Sequence, residues 1–184
     1  MTEMEAFLER CGRAGIVMGL GQMRRLLEQL QNPQETMEFV QVAGTNGKGS
    51  VTAYVASALA EAGYRTGSFA SPAVFSPEET VQADGRPISR REMEAMYRLV
   101  EEAARRMEQE DGSWPTAFEA ETAMALCWFR EKGCSVAVLE TGLGGDLDAT
   151  NVVERTAVSV LTKISVDHSR ILGNTVAEIA GHKA

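Results

Sequence analysis

The chain has 184 residues and a net charge of −8, because 26 Asp and Glu residues outnumber 18 Lys and Arg residues. Apolar residues make up 44% of the chain and charged residues 24%, which indicates a folded globular protein and excludes wholesale disorder. The acidic balance argues against a surface that binds nucleic acid or an anionic membrane. No apolar run approaches the roughly 20 residues needed to span a bilayer.

The cysteines Cys11, Cys127 and Cys134 are odd in number and lack the spacing of a disulfide framework or a zinc cluster. We therefore expect reduced thiols in a cytoplasmic protein. The first ten residues carry three glutamates, where a secretory leader would be cationic and then apolar, so we expect no signal peptide.

The first half of the chain predicts helices that alternate with strands. Apolar residues recur at helical spacing over residues 21–31, and a short apolar run predicts a strand over 37–43. A glycine-rich turn then leads into a predicted helix over 50–62 and a second strand over 66–70. Periodicity disappears over 71–87, which holds three of the five prolines, so we predict a long ordered loop of the kind that often has a function.

The second half continues the alternation. Ser or Thr three residues before Glu forms a capping box, and such boxes open predicted helices at 89–110 and from Thr175 onwards. A more apolar helix is predicted over 117–132, and apolar runs predict strands over 134–139 and 156–164. The pattern indicates an α/β fold with a mainly parallel sheet flanked by helices. Because the last helix has no stop signal, we expect residues 1–184 to form a single domain that is incomplete at its C-terminal end.

The glycine-rich turn at residues 44–50 is the most informative segment. A strand, a glycine-rich turn, and then a lysine and a hydroxyl at the start of a helix form the arrangement of a phosphate-binding loop. Glycines let backbone N–H groups point at phosphate oxygens, and the helix N-terminus adds a partial positive charge. Lys48 would neutralise the β- and γ-phosphates of ATP or GTP. The predicted nucleotide-binding residues are Gly44, Thr45, Asn46, Gly47, Lys48, Gly49 and Ser50.

The spacing of this loop departs from the common GxxxxGK[ST] pattern. Val42 takes the place of the first glycine, and Gly49 separates Lys48 from Ser50. The alternative interpretation is therefore a glycine-rich turn that carries an exposed lysine and binds nothing. The flanking strand and helix favour the nucleotide.

Glu140 and His168 each follow a predicted strand, and the carboxyl ends of parallel strands meet at one edge of a sheet. A carboxylate at Glu140 can hold the Mg²⁺ that bridges nucleotide phosphates, or it can cap a turn. His168 alone would be structural, but its convergence with the loop and Glu140 favours a role in the site. Residues 141–151 form a polar, glycine-rich loop between them or a crossover without a ligand. Lys183 and His182 by themselves indicate surface residues.

At these motifs the chain resembles the folylpolyglutamate synthase/dihydrofolate synthase family, a branch of the Mur-type ATP-dependent ligases. The resemblance runs from about Gly19 to Ala184 and covers less than half of a typical member. It implies a fold like the central domain of Mur ligases, and a C-terminal glutamate-binding domain that this chain lacks. The motifs are VAGTNGKGS at 42–50, Ser71-Pro72, DGRPIS at 84–89, the T-x-F-E segment at 116–119, ETGLGGDLDATNVV at 140–153, and SVDHSRILGNTVAEIA at 165–180 with Lys183-Ala184.

The resemblance implies site residues as well. Ser71 and Glu140 would hold one Mg²⁺, His168 would lie at a second metal position, and Lys183 would be carbamylated by CO₂ to give a further metal ligand. The implied catalytic residues are Lys48, His168 and Lys183. The residues implied at the pterin-binding surface are Thr116, Phe118, Asp148, Ala149 and Asn151.

Two positions depart from the family pattern. The family usually has His where this chain has Ala73, and Arg where it has Asp146. An anion in place of a cation beside an anionic substrate is expected to weaken or retune substrate binding.

The activity that the resemblance implies is ATP-dependent addition of L-glutamate to dihydropteroate or folates through an acyl phosphate. The expected partners are ATP, dihydropteroate or folate, and L-glutamate, with no nucleic acid and no membrane. The alternatives are a Mur-type ligase that acts on a cell-wall precursor and a non-catalytic nucleotide-binding fragment. A GTPase is disfavoured because the chain has no NKxD-like motif. We expect the isolated chain to bind nucleotide weakly and to turn over little.

Overall fold

Six strands form one sheet in the computed structural model, which describes residues 2–15, 17, 19–165, 173 and 175–183. The strands are β1 (Glu38–Ala43), β2 (Thr66–Phe69), β3 (Val81–Ala83), β4 (Arg86–Pro87), β5 (Val136–Glu140) and β6 (Thr156–Leu161). Their order across the sheet is β4-β3-β2-β5-β1-β6. The strands β2, β5, β1 and β6 run parallel, while β3 and β4 add an antiparallel hairpin at one edge. The prediction of a mainly parallel sheet is confirmed.

Helices cover both faces of this sheet. They are α1 (Glu3–Gly12), α2 (Gly21–Gln29), α3 (Lys48–Glu61), α4 (Arg90–Asp111), α5 (Ala117–Glu131) and α6 (Val176–Lys183). The helices α1, α2, α4 and α5 share the larger apolar core with one face of the sheet, and α3 packs on the other face. Side chains alternate along a strand, so β1 directs Phe39 into the larger core and Val40 and Val42 towards α3. Every residue of β5 is buried, which explains its continuous apolar sequence.

The sequence interpretation missed one helix and a hairpin of two strands. Helix α1 was not predicted, although Thr2 and Glu5 form a capping box and Met4, Phe7 and Cys11 have helical spacing. The loop predicted over 71–87 was wrong for its second half, because β3 and β4 pair there. Asp84 and Gly85 join these strands with φ values of +49° and +71°, the geometry that favours a tight hairpin.

The three cysteines are free and buried, in agreement with the prediction of reduced thiols. Burial raises the pKa of each thiol to about 11, so all three are protonated at neutral pH. Within the described ranges, no helix combines the length and the apolar character that a membrane span requires.

Gly67 tests how tightly α5 packs on the sheet. A Cβ at this position of β2 would lie 2.7 Å from a ring carbon of Phe129, which is completely buried. Because the ring has no free space to move into, we expect Gly67→Ala to lower the free energy of unfolding by about 1–3 kcal/mol. Urea unfolding followed by circular dichroism measures this change.

Gly21→Ala is the matched control, because a Cβ at the start of α2 meets no atom within 4 Å. This variant is expected to be neutral or more stable by up to about 1 kcal/mol. Equal destabilisation by the two substitutions would contradict the packing argument.

Candidate functional site

The glycine-rich loop leaves the N-terminus of α3 open. Gly47 occupies the N-cap position with φ of +85°, and no side chain among the described residues caps this helix. The helices α1, α4 and α5 each begin with a capping box instead. The backbone N–H groups in the first turn of a helix lack acceptors within the helix. Lys48, Gly49 and Ser50 therefore form an end that can accept an anion such as a phosphate group.

The segment after β6 holds this loop in place. The backbone N–H groups of Thr45 and Asn46 donate to the Lys163 carbonyl oxygen at 2.9 and 3.2 Å. The Thr45 hydroxyl donates to the Ser165 carbonyl oxygen at 3.1 Å and accepts from the Ser165 N–H at 3.0 Å. The first half of the loop is thus anchored by hydrogen bonds, while its second half leads into the uncapped N-terminus of α3.

Glycine is required at the start of the loop. Gly44 has φ of +146°, and a Cβ there would lie 1.8 Å from the Thr162 hydroxyl oxygen. At Gly49 a Cβ would come within 3.3 Å of Glu140 Oε2. Side chains at these positions would push the loop away from its anchor or from the carboxylate.

Lys48, Glu140 and Ser71 lie close together at the carboxyl edge of the sheet. Glu140 is the last residue of β5, and its Oε1 lies 3.8 Å from Lys48 Nζ. Burial raises the pKa of Glu140, while the Lys48 ammonium and the backbone N–H of Ser71 oppose that rise. The result is a carboxylate that is costly to ionise and that a further cation would stabilise.

These groups fit a metal ion that is shared with a nucleotide. No cluster of three His, Cys, Asp or Glu side chains within the described part of the chain could hold a metal ion alone. Magnesium usually takes one or two protein ligands and completes its shell with phosphate oxygens and water. Glu140 supplies such a carboxylate beside the uncapped end of α3. His168, predicted at a second metal position, lies outside the described residues.

Lys183 is buried, so the interpretation of this residue as a solvated surface lysine is wrong. Its Nζ donates to the Gly144 carbonyl oxygen at 3.5 Å, and the Asp146 N–H donates to the His182 carbonyl oxygen at 3.0 Å. Gly145 has no room for a Cβ, which would lie 2.5 Å from that same carbonyl oxygen. Helix α6 is therefore docked against the loop that follows Glu140.

Asp146, where the family pattern has Arg, pairs with a residue on α6. Its Oδ2 lies 3.3 Å from His182 Nδ1, and both side chains are about half exposed. Asp146 is not among the residues that line the large cavity beside this loop. Its carboxylate is thus directed at α6 and not at that cavity.

A cavity of about 850 Å³ extends to Ser71 and Gly142, which follow β2 and β5 at the carboxyl edge of the sheet. Its walls come from α1, the residues before α2, the start of α5, α4, and the segments that follow β2 and β5. Four of the five residues predicted at the substrate surface line it, namely Thr116, Phe118, Asp148 and Ala149. Asn151 does not line it. Its side chain accepts from Gln41 Nε2 at 3.0 Å and donates to the Asp146 carbonyl oxygen at 3.1 Å.

Known proteins are similar to this chain in sequence and in fold. A dihydrofolate synthase/folylpolyglutamate synthase of Bacillus subtilis is 43% identical over 171 residues, which cover 92% of this chain and 40% of that protein. The structure of Escherichia coli FolC in complex with DHPP and ADP matches with a TM-score of 0.88 at 31% identity, over 99% of this chain and 43% of that one. The chain is a homologue of the N-terminal part of the folylpolyglutamate and dihydrofolate synthases.

A further structural match supports the same assignment. The folylpolyglutamate synthase of Mycobacterium tuberculosis complexed with ADP and AMPPCP has a TM-score of 0.86 at 36% identity, over 98% of this chain and 41% of that one. No protein-family model matches the chain. In each of these three comparisons the chain spans well under half of the length of its relative.

This homologue of the synthases carries two carboxyl groups on the cavity wall that sequence reasoning left without a role. Glu119 and Glu121 both lie in the first turns of α5 and line the cavity. The signal was present in the sequence, because two glutamates interrupt a helix that is otherwise mostly apolar up to Arg130.

The raised pKa of Glu140 predicts that metal binding strengthens as pH rises. Because a metal ion binds the ionised carboxylate, the gain in ATP affinity from Mg²⁺ is expected to grow as pH rises through that pKa. Glu140→Gln should abolish the gain and flatten its pH profile. Since burial makes ionised Glu140 unfavourable, the same variant should melt at a slightly higher temperature at neutral pH.

Calorimetric titrations of ATP with and without Mg²⁺, over a series of pH values, measure this effect. Glu61→Gln is the control, because Glu61 is an exposed carboxylate at the other end of α3. If Glu140→Gln retained the wild-type response to Mg²⁺, Glu140 would not be a ligand.

Proposed function

We propose that the chain is the nucleotide- and pterin-binding part of an ATP-dependent ligase that adds L-glutamate to dihydropteroate or folates. One observation carries the proposal: the cavity reaches Ser71 and Gly142, which follow β2 and β5 close to Glu140, the residue that contacts Lys48. The Ser71 backbone N–H lowers the pKa of Glu140, and Glu140 Oε1 lies 3.8 Å from Lys48 Nζ. A ligand in the cavity can therefore present its carboxylate to the terminal phosphate of ATP.

Such proximity matches the chemistry of amide formation. An amine does not displace oxide from a carboxylate, so the carboxylate must first be activated. A carboxylate oxygen of the pteroate attacks the γ-phosphorus of ATP, the bond to the β,γ-bridging oxygen breaks, and ADP leaves. The amine of L-glutamate then attacks the acyl carbon, phosphate leaves, and the nitrogen loses a proton.

The residues of this chain position the reactants and stabilise charge. Lys48 and the open N-terminus of α3 would bind the phosphates and stabilise charge on the transferring phosphoryl group. The cavity would orient the pteroate and exclude water from the acyl phosphate. Glu140 and Ser71 would hold Mg²⁺, with His168 and Lys183 at a second metal position, and a bound Mg²⁺ would neutralise phosphate charge.

The similar proteins support this function for a full-length enzyme, because the chain matches only their N-terminal part. The E. coli structure holds DHPP and ADP, and the M. tuberculosis structures hold ADP and AMPPCP. This chain covers only 40% of the length of its B. subtilis relative. We place the glutamate site in the part of the enzyme that corresponds to the rest of that length, so the chain alone should turn over little.

Nucleotide binding by the chain is the first test. Mg·ATP should bind saturably in a calorimetric titration, Mg·GTP should bind more weakly, and Lys48→Ala should lower ATP affinity at least about tenfold because a charge-assisted contact is lost. Lys163→Ala is the matched control, because the exposed Lys163 contacts the loop through its backbone carbonyl.

Failure of the folded chain to bind either nucleotide would contradict nucleotide binding by the chain alone. Normal rates of glutamate ligation by the 184-residue chain would contradict the placement of the glutamate site outside it.

Carbamylation of Lys183 is a separate expectation. The neutral amine would attack CO₂, form an N–C bond and release a proton, which converts a buried cation into a carboxylate. In ¹³C-bicarbonate we expect a carbamate carbon resonance for the wild-type chain and its loss in Lys183→Arg. Lys163→Arg should retain the resonance, and a resonance that survives Lys183→Arg would disprove this assignment.

A further inference from the structure

The cavity wall carries more acceptor groups than its own residues satisfy. Four carboxyl groups line the cavity, those of Glu5, Glu119, Glu121 and Asp148, against the single cation Arg90 among its described residues. Arg90 lies at the rim, where its guanidinium contacts Glu94 at 3.0 Å, Glu78 at 3.6 Å and Glu5 at 3.9 Å. The interior of the cavity is therefore mostly apolar, and its carboxylate oxygens outnumber the cationic groups that could pair with them.

Asp148 is occupied by the loop to which it belongs. Its Oδ2 accepts the Leu143 N–H at 2.8 Å, and its Oδ1 accepts both the N–H and the hydroxyl of Thr150 at 2.9 and 2.5 Å. A carboxylate offers about four lone-pair positions, so Asp148 shapes the loop and has little capacity left for a ligand.

Only one of the two carboxylate oxygens of Glu119 accepts hydrogen bonds from the described residues. Its Oε2 accepts from Gln22 Nε2 at 2.7 Å and from the Thr116 N–H and hydroxyl at 2.8 and 2.9 Å. Its Oε1 is buried and finds no donor in the part of the chain that the structure describes. The side chain is only 3% exposed, so this oxygen is held inside the wall of the cavity.

Glu121 is the carboxyl group that remains available. It makes no hydrogen bond or ion pair within the described ranges, and burial raises its pKa without any donor that would lower it. Tyr97 of α4 lines the same cavity, is 4% exposed, and interacts electrostatically with Glu121. The Tyr97 hydroxyl likewise forms no hydrogen bond to a residue that the structure describes.

The position of Glu121 sets which end of a ligand it can meet. The Phe118 ring covers Gly142, next to the nucleotide loop, because a Cβ on Gly142 would lie 2.6 Å from the ring. Glu121 follows three residues later on α5, about 4.5 Å further along the helix at a rise of about 1.5 Å per residue. Glu121 and Tyr97 line the walls of the cavity that α5 and α4 form, whereas Ser71 and Gly142 line the wall formed by the segments after β2 and β5. A ligand that presents its carboxylate at the second wall can direct its opposite end towards the first.

We propose that Glu121, with Tyr97 beside it, is a specificity-determining residue that accepts N–H donors from an amino-substituted nitrogen heterocycle bound in the cavity. This inference rests on the proposed function, which places a pteroate there. A ligand with ring N–H donors satisfies this half-buried acceptor, whereas a ligand without them covers it and leaves it unpaired. Sites of this kind discriminate more strongly than apolar pockets do.

The test compares two probes that differ in one donor group, pteroate and its 2-desamino analogue. Calorimetric titration of the wild-type chain should give at least about tenfold tighter binding of pteroate. Glu121→Leu removes the acceptor and should reduce that preference to within about threefold. Glu121→Gln keeps the shape and one acceptor oxygen, so its preference should be intermediate, and Tyr97→Phe should have a smaller effect.

Glu5→Gln is the matched control. Glu5 is exposed at the rim of the same cavity, and glutamine preserves its capping box with Thr2. This variant should retain the wild-type preference for pteroate.

The outcomes separate the two hypotheses. If the wild-type chain and both Glu121 variants bind pteroate with the same preference, Glu121 has no part in recognition while the proposed function stands. If the folded wild-type chain binds neither probe, the inference and the pterin part of the proposed function are both overturned. Equal effects of Glu5→Gln and Glu121→Gln would reduce the role of Glu121 to general electrostatics and would also overturn the inference.

Discussion

Parallel pairing of β2, β5, β1 and β6 is the constraint on which the site depends. Parallel strands all end at the same edge, so the segments after β2, β1 and β5 meet there although they are far apart in sequence. Ser71, Lys48 and Glu140 come from these three segments. Antiparallel pairing of any one of them would move its polar end to the opposite edge. The alternation of helices and strands is thus what brings the polar residues into one place.

The buried carboxylate at this edge is a local cost that the fold tolerates. Glu140 lies at the end of a strand whose five residues are all buried, and among the described residues Lys48 and the Ser71 N–H offset its desolvation. A lysine and a glutamate 3.8 Å apart beside an uncapped helix leave room for a phosphate and a cation to complete the charge balance. Residues that serve a ligand often destabilise the protein without it.

Local signals made most of the fold predictable. The capping boxes at Ser89 and Thr175 and the apolar runs of β1 and β5 gave the correct helices and strands, because each element carries its own start signal or burial pattern. Helix α1 was missed although its signals are of the same kind. The hairpin at Asp84-Gly85 was missed because its strands are only three and two residues long, too short for any periodicity.

The site was predictable where a motif names a residue and unpredictable where burial decides its role. Lys48 and Glu140 could be placed because they follow strands. The family motif named Lys183 as a site residue, but its burial could not be predicted, since that burial comes from the docking of α6 against the loop after β5. Glu121 has no motif, and its availability depends on which neighbouring donors are already used. Satisfaction of hydrogen bonds is a property of three-dimensional packing, so sequence patterns do not reveal it.

The N-termini of α3 and α5 differ in how they are capped. This difference explains how one edge of the sheet can bind an anionic phosphate next to a ligand that donates N–H groups. Helix α3 begins at a glycine without a side-chain cap, so its free N–H groups and Lys48 favour an anion. Helix α5 begins with Thr116 and Glu119, whose buried carboxylate already accepts the donors at that end. Its positive pole is thereby neutralised by the chain itself. The cavity beside α5 therefore does not compete for phosphate, and its surplus carboxylate oxygens favour a ligand that donates N–H groups.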